Sequence, residues 1–283
     1  MKNKHSKLNT LNSYNYKLGI LEVLGWILLI IYMIPFYLTL INSFKSRREI
    51  FADTTGLPAE WSFTNYIDAI EKTNMGNAFI NSIIITSLSL VIIVLFSSMA
   101  AWALARTKTR MSKIIFYIFV AAMIVPFQAV MLPLVKWMST LKLIGNYPGI
   151  IFMYLGFGSS MSIFLYHGFI NNIPLEIEEA AIIDGCSKWQ VYRKIVFPLL
   201  KPITVTVMVL NGIWIWNDFL LPFLTINGKI NTIPLAMNNF FGAFSKQWEL
   251  AMAALVMAII PIVIFYFFVQ KHIIKGIVQG SIK

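Results

Sequence analysis

Apolar residues are gathered in long blocks along the chain, separated by short polar segments. Six of these blocks stay apolar for about the 20 residues that a helix needs to cross a hydrocarbon core about 30 Å thick. They are residues 19–41, 78–104, 114–135, 148–170, 202–224 and 248–270. The pattern predicts an all-α membrane protein with six transmembrane helices. Because the first block has no small-residue cleavage pattern after it, we expect it to remain in the mature protein.

Composition excludes a soluble enzyme. Of the 283 residues, 58% are hydrophobic and 12% are charged, and this charged share is about half of that in ordinary globular chains. Cys186 is the single cysteine, so no internal disulfide and no cysteine metal motif is predicted. We therefore expect a cytoplasmic tail over residues 1–18, a membrane domain over residues 19–270 and a second cytoplasmic tail over residues 271–283.

The distribution of positive charge predicts the orientation. Lys and Arg accumulate in cytoplasmic loops, and fifteen of the 23 basic residues fall on one side of the predicted helices. These are Lys2, Lys4, Lys7, Lys17, Arg106, Lys108, Arg110, Lys113, Lys188, Arg193, Lys194, Lys201, Lys271, Lys275 and Lys283. Both termini are thus predicted to be cytoplasmic, and the net charge of +11 needs no nucleic acid to explain it. Trp102, near an inner helix end, fits an interfacial aromatic belt.

Several predicted spans contain residues that are unusual in membranes. The third contains Pro126, Gln128 and Pro133, and the fifth contains Asn211, Gly212, Asn217 and Asp218. Such residues are tolerated mainly against protein or a water-filled cavity, so we expect these two spans to line a cavity. The fourth span has two pairs of small residues, Gly156 with Ser160 and Gly158 with Ser162, which favour close helix packing.

The segment between the fourth and fifth spans has the strongest local signals. Residues 171–202 have the sequence NNIPLEIEEAAIIDGCSKWQVYRKIVFPLLKP. Pro174 in a first turn, followed by glutamates, predicts a short helix that stops at a left-handed Gly185. Ser187 and Gln190 form a predicted capping box for a second helix that ends before Pro198.

This helix pair is amphipathic and carries both signs of charge. A pair that lies on the lipid surface is the simpler interpretation, but its polar face would then be expected to be mainly Lys and Arg. Docking into a groove of a partner protein is favoured instead.

The same segment resembles the coupling motif of the membrane subunits of ABC importers, E-A-A, three residues, G, nine residues, I-x-L-P. Phe197 stands where the family usually has Leu, and Cys186 where it commonly has Ala. The resemblance implies the type I ABC importer permease fold and a loop, residues 171–201, that lies in a cleft of an ATP-binding subunit. The predicted ATPase-coupling residues are Glu179, Ala180, Ala181, Asp184, Gly185, Ile195 and Pro198.

A narrower resemblance covers the chain from about the first span to its end. Residues 216–222, 233–235 and 270–283 are similar to the carbohydrate-uptake branch, and most similar to the maltose-type, MalG-like second permease subunit. The resemblance implies a MalF-like permease partner, two ATP-binding subunits, an extracytoplasmic sugar-binding protein and surrounding membrane lipid. The tail 271–283 is predicted to be extended or flexible when unpartnered and to contact the ATP-binding subunits, the alternative being a solvated basic tail.

The function predicted from this resemblance is sugar import across the cell membrane, by alternating access coupled to ATP hydrolysis on other chains. GxxxxGK[ST] and HExxH do not occur in the sequence, so no cofactor, metal or catalytic residue is expected, and ATP would be bound by partners. Gln128, Trp214, Trp216 and Asn217 are candidates for sugar contacts, although helix packing explains them as well.

Two alternatives remain open from the sequence. The first is an ABC importer permease for a solute other than a sugar. The second is an ion-driven secondary transporter, which would be expected to show internal repeats and ionisable residues at mid-membrane. No repeat is visible, and Asp218 is predicted to lie near the outer boundary, so this class is disfavoured.

Overall fold

The computed structural model describes the backbone of residues 2–240 and 247–281, and the side chains of residues 18–240, 247–268 and 270. Within these ranges all regular structure is helical. The elements are α1 (Lys2–Asn42), α2 (Arg47–Ala52), α3 (Thr64–Thr73), α4 (Met75–Arg106), α5 (Arg110–Ala122), α6 (Phe127–Thr140), α7 (Tyr147–Ile170), α8 (Leu175–Ile183), α9 (Lys188–Val191), a π-turn (Tyr192–Val196), α10 (Phe197–Leu199), α11 (Lys201–Asn217), α12 (Leu220–Thr225), α13 (Ile233–Asn238) and α14 (Trp248–Ser281).

The chain has four continuous helices that are long and apolar enough to cross a membrane. They are Leu18–Asn42, Met75–Arg106, Tyr147–Ile170 and Trp248–Phe268. Two bent pairs, Arg110–Ala122 with Phe127–Thr140 and Lys188–Leu199 with Lys201–Asn217, meet the same criteria together. Counting each bent pair as one span gives six, the predicted number, although the second pair begins at Lys188 and not at residue 202.

One of the two compact units contains Met1–Ala69 and Ala243–Met257. Nearly all described α1 side chains up to Leu40 are exposed. The segment after α1 is held by polar contacts: buried Lys45 donates from Nζ to the Asp53 carbonyl (2.8 Å), and Asn65 donates to the Lys45 carbonyl (2.8 Å). The first contact gives the buried Lys45 ammonium an acceptor, and the second ties the backbone of the same residue to α3.

The other unit contains Ile70–Gly242 and Ala258–Lys283, and its centre is the α4–α7 pair. The two helices run in parallel. Near their starts, the Tyr147 hydroxyl donates to Asn81 Oδ1 (2.7 Å). Near their ends, Arg106 donates to the carbonyl of Ile173, just beyond α7 (3.1 Å). α11 packs against both helices, so the three form the core around which the rest of the unit is arranged.

Gly158 brings these three helices close together. A Cβ atom at Gly158 would lie 2.6 Å from Ile93 Cδ1 and 2.7 Å from Asn211 Oδ1, whereas at Gly156 it would meet nothing within 4 Å. Ser162, one turn on, is fully buried and accepts a hydrogen bond from Asn211 Nδ2 (3.0 Å). Of the two predicted pairs of small residues, the pair Gly158 and Ser162 therefore lies at the helix contact.

The third predicted span is broken rather than continuous. α5 ends at Ala122, and α6 begins at Phe127 at an angle of 104°. Pro126 is the N-cap of α6 with extended backbone (φ −68°, ψ 140°). A proline disfavours helical backbone at the residue before it, and this accounts for the break. The prediction of one continuous helix over residues 114–135 is therefore wrong. Pro126, which causes the break, is visible in the sequence.

The fifth predicted span also differs from the structure. α11 ends at Asn217, because Asp218 is extended (ψ 124°) and its Oδ1 accepts the Leu220 N–H (3.1 Å), which starts a new short helix. The start of α11 is marked by a 73° bend after Leu199. The predicted helix 202–224 is therefore α11 followed by the separate α12.

Both chain ends continue their neighbouring helices as far as the backbone is described. α1 begins at Lys2, within the predicted tail 1–18, and α14 continues to Ser281. Of the two forms predicted for the tail 271–283, the extended one is wrong up to Ser281, because the backbone is helical there. Gly276 and Gly280 cost helix stability of about 1 kcal/mol each without ending the helix. The flexible form stays a prediction. The tail's side chains lie outside the described residues, and its contact with ATP-binding subunits stays a prediction.

The Gly158 contact gives a stability prediction. Gly158→Leu should lower the free energy of unfolding by about 1–3 kcal/mol, because the added side chain overpacks the contact with Ile93 and Asn211. Thermal denaturation of the purified protein in detergent measures the effect. The matched control is Gly168→Leu on the same helix, where a Cβ meets nothing within 4 Å. Equal denaturation midpoints for the two variants would contradict the assigned packing.

Candidate coupling segment and translocation groove

The segment 171–201 begins with α8. Pro174 is the N-cap of α8 (φ −55°, ψ 133°), so it lies just before the first turn in which it was predicted. Glu176 and Glu178 lie in that first turn. Negative charge in a first turn is stabilised by the positive end of the helix dipole. The local sequence therefore starts the helix where the chain leaves α7.

Gly185 ends α8 with a left-handed backbone, as predicted (φ +84°). The Cys186 N–H donates to the Ala181 carbonyl (2.9 Å) and the Gly185 N–H to the Ile182 carbonyl (3.0 Å), which together form a Schellman motif. No atom lies within 4 Å of a Cβ built on Gly185. Glycine is thus favoured here by backbone conformation, not by lack of space.

A capping box opens the second helix, as predicted. The Gln190 N–H donates to Ser187 Oγ (3.3 Å), and the Ser187 N–H donates to Gln190 Oε1 (2.8 Å). The predicted end before Pro198 is wrong, because the helix continues through Pro198 to Leu199. Since Pro198 has no N–H to donate, the preceding turn widens into the π-turn, in which the Phe197 N–H reaches the Tyr192 carbonyl.

The predicted ATPase-coupling residues divide into three groups by exposure. Glu179, Ala180, Asp184, Gly185 and Pro198 are exposed, Ile195 is half-buried and Ala181 is buried. The exposed residues are available to a partner, whereas Ala181 packs α8 against its own unit.

Two neighbouring isoleucines were missed by the sequence analysis. Ile182 is 53% exposed and Ile183 is 85% exposed. They add apolar area beside the acidic side chains of Glu179 and Asp184. A face that is partly apolar and partly acidic fits a protein groove better than a lipid headgroup layer.

The opposite face of α8 is held by a buried carboxylate. Glu178 is 4% exposed, and its Oε1 lies 2.7 Å from Arg106 Nη2 in a salt bridge. Arg106 Nε also donates to Oε1 (2.8 Å), and Trp102 Nε1 donates to Oε2 (2.9 Å). Trp102 thus makes a specific polar contact in addition to lying near a helix end, and Arg106 does more than mark a cytoplasmic loop.

A wide groove lies between the broken α5–α6 pair, α7 and α11. Its volume is about 820 Å³, and it is open on one side. Its aromatic lining residues are Phe127, Trp137, Phe152, Phe157 and Trp214. Its polar lining residues are Ser159, Ser160 and Asn211. Ligand pockets in proteins typically have this size range and this mixture of many apolar groups with few polar ones.

The structure brings one of the four predicted sugar contacts to this groove. Trp214 lines the groove, whereas Trp216 lines a smaller apolar pocket with Phe265 and Pro261. Side chains two residues apart on a helix point to nearly opposite sides, so Trp214 and Trp216 on α11 cannot share one site. Asn217 is exposed and donates back to the Ile213 carbonyl (2.7 Å).

On α6, the groove is lined by a stripe that excludes Gln128. The lining residues are Phe127, Val130, Leu134, Trp137 and Met138, whose spacing of three to four residues along the helix marks one face. Gln128 is exposed beside this stripe. Asn211, three residues before Trp214 on α11, also lines the groove and was not among the predicted sugar contacts. The helical spacing from Asn211 to Trp214 was the sequence signal that could have identified it.

The Trp214 ring is fixed by a buried contact. It packs edge to face against Tyr154 (5.5 Å between ring centroids, 87°), and the Tyr154 hydroxyl donates to Asp218 Oδ2 (3.1 Å). Asp218 therefore both ends α11 and orients a wall of the groove. Among the described residues, no group of three His, Cys, Asp or Glu side chains is close enough to hold a metal ion.

Comparison with known proteins agrees with a membrane permease. Residues 93–279 match the family described as binding-protein-dependent transport system inner membrane component. A bacterial ABC transporter involved in the import of the acidic polysaccharide alginate has a chain with the same fold (TM-score 0.75, 24% identity, covering 90% of this chain and 95% of that one).

Two curated relatives span nearly the whole chain. A probable starch degradation products transport system permease protein from Thermoanaerobacterium thermosulfurigenes is 47% identical, over 93% of this chain and 96% of its own length. A melibiose/raffinose/stachyose import permease protein from Bacillus subtilis (strain 168) is 36% identical, over the same shares. The chain therefore belongs to the inner-membrane components of binding-protein-dependent ABC importers, and it is a multi-pass permease subunit of the cell membrane.

The left-handed glycine gives a local prediction. Gly185→Val should destabilise the α8–α9 turn by about 1–2 kcal/mol, because a side chain disfavours positive φ. The rate of tryptic cleavage after Lys188 and Arg193 in inside-out vesicles should rise about 5–30-fold, in proportion to the opened population. Gly185→Asn, which tolerates this backbone conformation, should stay near wild type. Equal rates for all three proteins would contradict this account of Gly185.

Proposed function

We propose that the chain is one of two membrane subunits of an ATP-driven importer of a sugar or oligosaccharide. The observation that carries this proposal is the open groove, in which Trp214 and four other aromatic rings surround a few polar groups. Sugar rings present C–H faces that pack on aromatic rings, and their hydroxyls need hydrogen-bonding partners. The groove supplies both kinds of contact.

The polar groups of the groove suit a neutral, hydroxylated solute. The groove-lining set has no Lys, Arg, Asp or Glu, and its polar members are Asn211, two serines and backbone. Asn211 is anchored through Nδ2 to Ser162 and the Val207 carbonyl, which orients its amide. An ionised solute would be left without a counter-charge from this subunit, so a non-sugar ionic solute is disfavoured.

The names of the relatives support the same solute class. They concern starch degradation products in one case and melibiose, raffinose and stachyose in the other. These are neutral saccharides, and the two proteins align with nearly the whole of this chain. We therefore propose a neutral saccharide as the solute of this protein.

Coupling to ATP would occur through the segment 171–201. Its face with Glu179, Ala180, Ile183 and Asp184 is exposed, and the sequence has no nucleotide-binding motif of its own. We infer that one of two separate ATP-binding subunits docks there on the cytoplasmic side, as the charge distribution predicts. A second, MalF-like permease would close the open side of the groove, and an external binding protein would deliver the sugar.

An ion-driven mechanism has little support from the buried and half-buried carboxyl groups of the unit that contains α4, α7 and α11. Asp218 is engaged by the Tyr154 hydroxyl and the Leu220 N–H, and Glu178 is engaged by Arg106 and Trp102. Both carboxyls have structural partners, so neither is an obvious site for reversible proton or sodium binding.

The energy source decides between the two mechanisms. The chain, co-expressed with its partner permease and ATP-binding subunits and reconstituted in liposomes with a loaded binding protein, should import labelled oligosaccharide only with internal ATP. A proton or sodium gradient without ATP should give no uptake above empty liposomes. Gradient-driven uptake by the chain without an ATPase would overturn the proposed function.

The groove predicts a specific effect of Trp214. Trp214→Ala should lower the maximal uptake rate about tenfold, equivalent to about 1.4 kcal/mol, because a sugar-stacking surface is lost. Trp214→Phe keeps such a surface and should lose less. Because the binding protein sets the apparent affinity, the rate is measured at saturating loaded binding protein.

Gln128→Ala is the control for this experiment, since Gln128 lies outside the groove lining. It should transport at the wild-type rate. Unchanged uptake by Trp214→Ala, in complexes that retain their ATP-binding subunits, would remove the groove from the sugar path.

A further inference from the structure

One face of α4 makes a series of contacts with the segment 171–201. Ser98, Trp102 and Arg106 follow one another at intervals of four residues, which aligns their side chains along one side of a helix. The Ser98 and Tyr192 hydroxyls are hydrogen-bonded (2.7 Å). The Trp102 ring packs against Tyr192 (5.4 Å) and its N–H reaches Glu178.

Arg106 completes the series at the end of α4. Its guanidinium bonds to Glu178 through Nε and Nη2 and also donates to the Ile173 carbonyl. The three α4 residues therefore hold the start of the segment at Ile173, the first helix at Glu178 and the second helical part at Tyr192. The segment cannot shift as a body without moving α4 or breaking these bonds.

The polar side chains of Glu178, Arg106 and Trp102 are hydrogen-bonded to one another. Both carboxylate oxygens of Glu178 are hydrogen-bonded, one to Arg106 and the other to Trp102. Removing one partner of a buried ion pair leaves the other charge uncompensated, which is strongly unfavourable. The attachment is consequently stiff as long as Arg106, Trp102 and Glu178 are all present.

The other end of the connection reaches the groove. Higher on α4, Ile93 packs against Gly158, and Asn211 approaches Gly158 from the α11 side. Asn211 lines the groove. A displacement of α4 along or about its axis would therefore press on residues that form the wall of the groove.

We propose that Ser98, Trp102, Arg106 and Glu178 form a latch through which movement of the segment 171–201 is transmitted to α4 and so to the groove. These are positioning residues, and their role rests on the proposed coupling of the segment to ATP-binding subunits. The exposed face of α8 receives the partner, and the latch on its buried face passes the displacement on. Arg106 thereby differs from exposed basic neighbours such as Lys108 and Arg110, whose charge alone satisfies the topology rule.

The test is the number of sugar molecules imported per ATP hydrolysed by the full reconstituted transporter, at saturating loaded binding protein. Arg106→Gln and Glu178→Gln should lower this ratio at least tenfold while the ATP-binding subunits still co-purify. Trp102→Phe, which keeps the ring against Tyr192 but loses the N–H donor, should lower it about threefold. Arg106→Lys keeps a charge that reaches Glu178 and should recover most of the ratio.

Matched controls remove the same charges outside the latch. Arg110→Gln on α5 and Glu71→Gln on α3 change exposed residues outside the segment 171–201, and their ratios should stay within twofold of wild type. If Arg106→Gln does not assemble, Trp102→Phe decides the question because it leaves the ion pair in place.

The outcomes separate the latch from a structural role and from the proposed function. A wild-type ratio in assembled Trp102→Phe and Glu178→Gln complexes would overturn the latch. A parallel loss of assembly and transport at constant ratio would also overturn it, since the residues would then only hold the fold. Wild-type uptake without ATP would instead overturn the proposed function.

Discussion

The unit formed by residues 70–242 and 258–283 depends on the close approach of α4 and α7 at Gly158. In a bilayer, the surrounding lipid is as apolar as the helix surfaces, so association relies on close packing and on hydrogen bonds between helices. The Gly158 contact provides the packing, and the Asn211–Ser162 bond joins α11 to the same place. Both the groove beside α7 and the contacts of α4 with the segment 171–201 are built on this pairing.

Three irregularities in the helices of this unit have a local chemical cause. Pro126 is extended at the start of α6, Asp218 accepts the N–H that opens α12, and Pro198 is accommodated by a widened turn. Membrane interiors leave no water to satisfy freed backbone groups, so irregular backbone is tolerated only against protein or an aqueous cavity. The broken α5–α6 pair indeed forms one wall of the groove.

The features predicted correctly from sequence are those encoded within a few residues. Six apolar blocks indicated the spans, and Gly185, Ser187 and Gln190 indicated a stop and a capping box that the structure contains. The separation of Trp214 from Trp216 was also available, because helical spacing alone puts them on different sides. The Arg106–Glu178 pair was not, since its members are 72 residues apart and meet only through the packing of α4 against α7.

The sharp angle between α5 and α6 has a consequence for how the protein is made. Thirteen and fourteen residues give helices about 20 Å long, each shorter than a hydrocarbon core of about 30 Å. Neither half is a complete stop-transfer element on its own as it leaves the insertion machinery. Because α5 packs against α7, we expect this segment to depend on α7, synthesised next, for a stable place in the bilayer, which ties formation of the groove to the order in which its walls are translated.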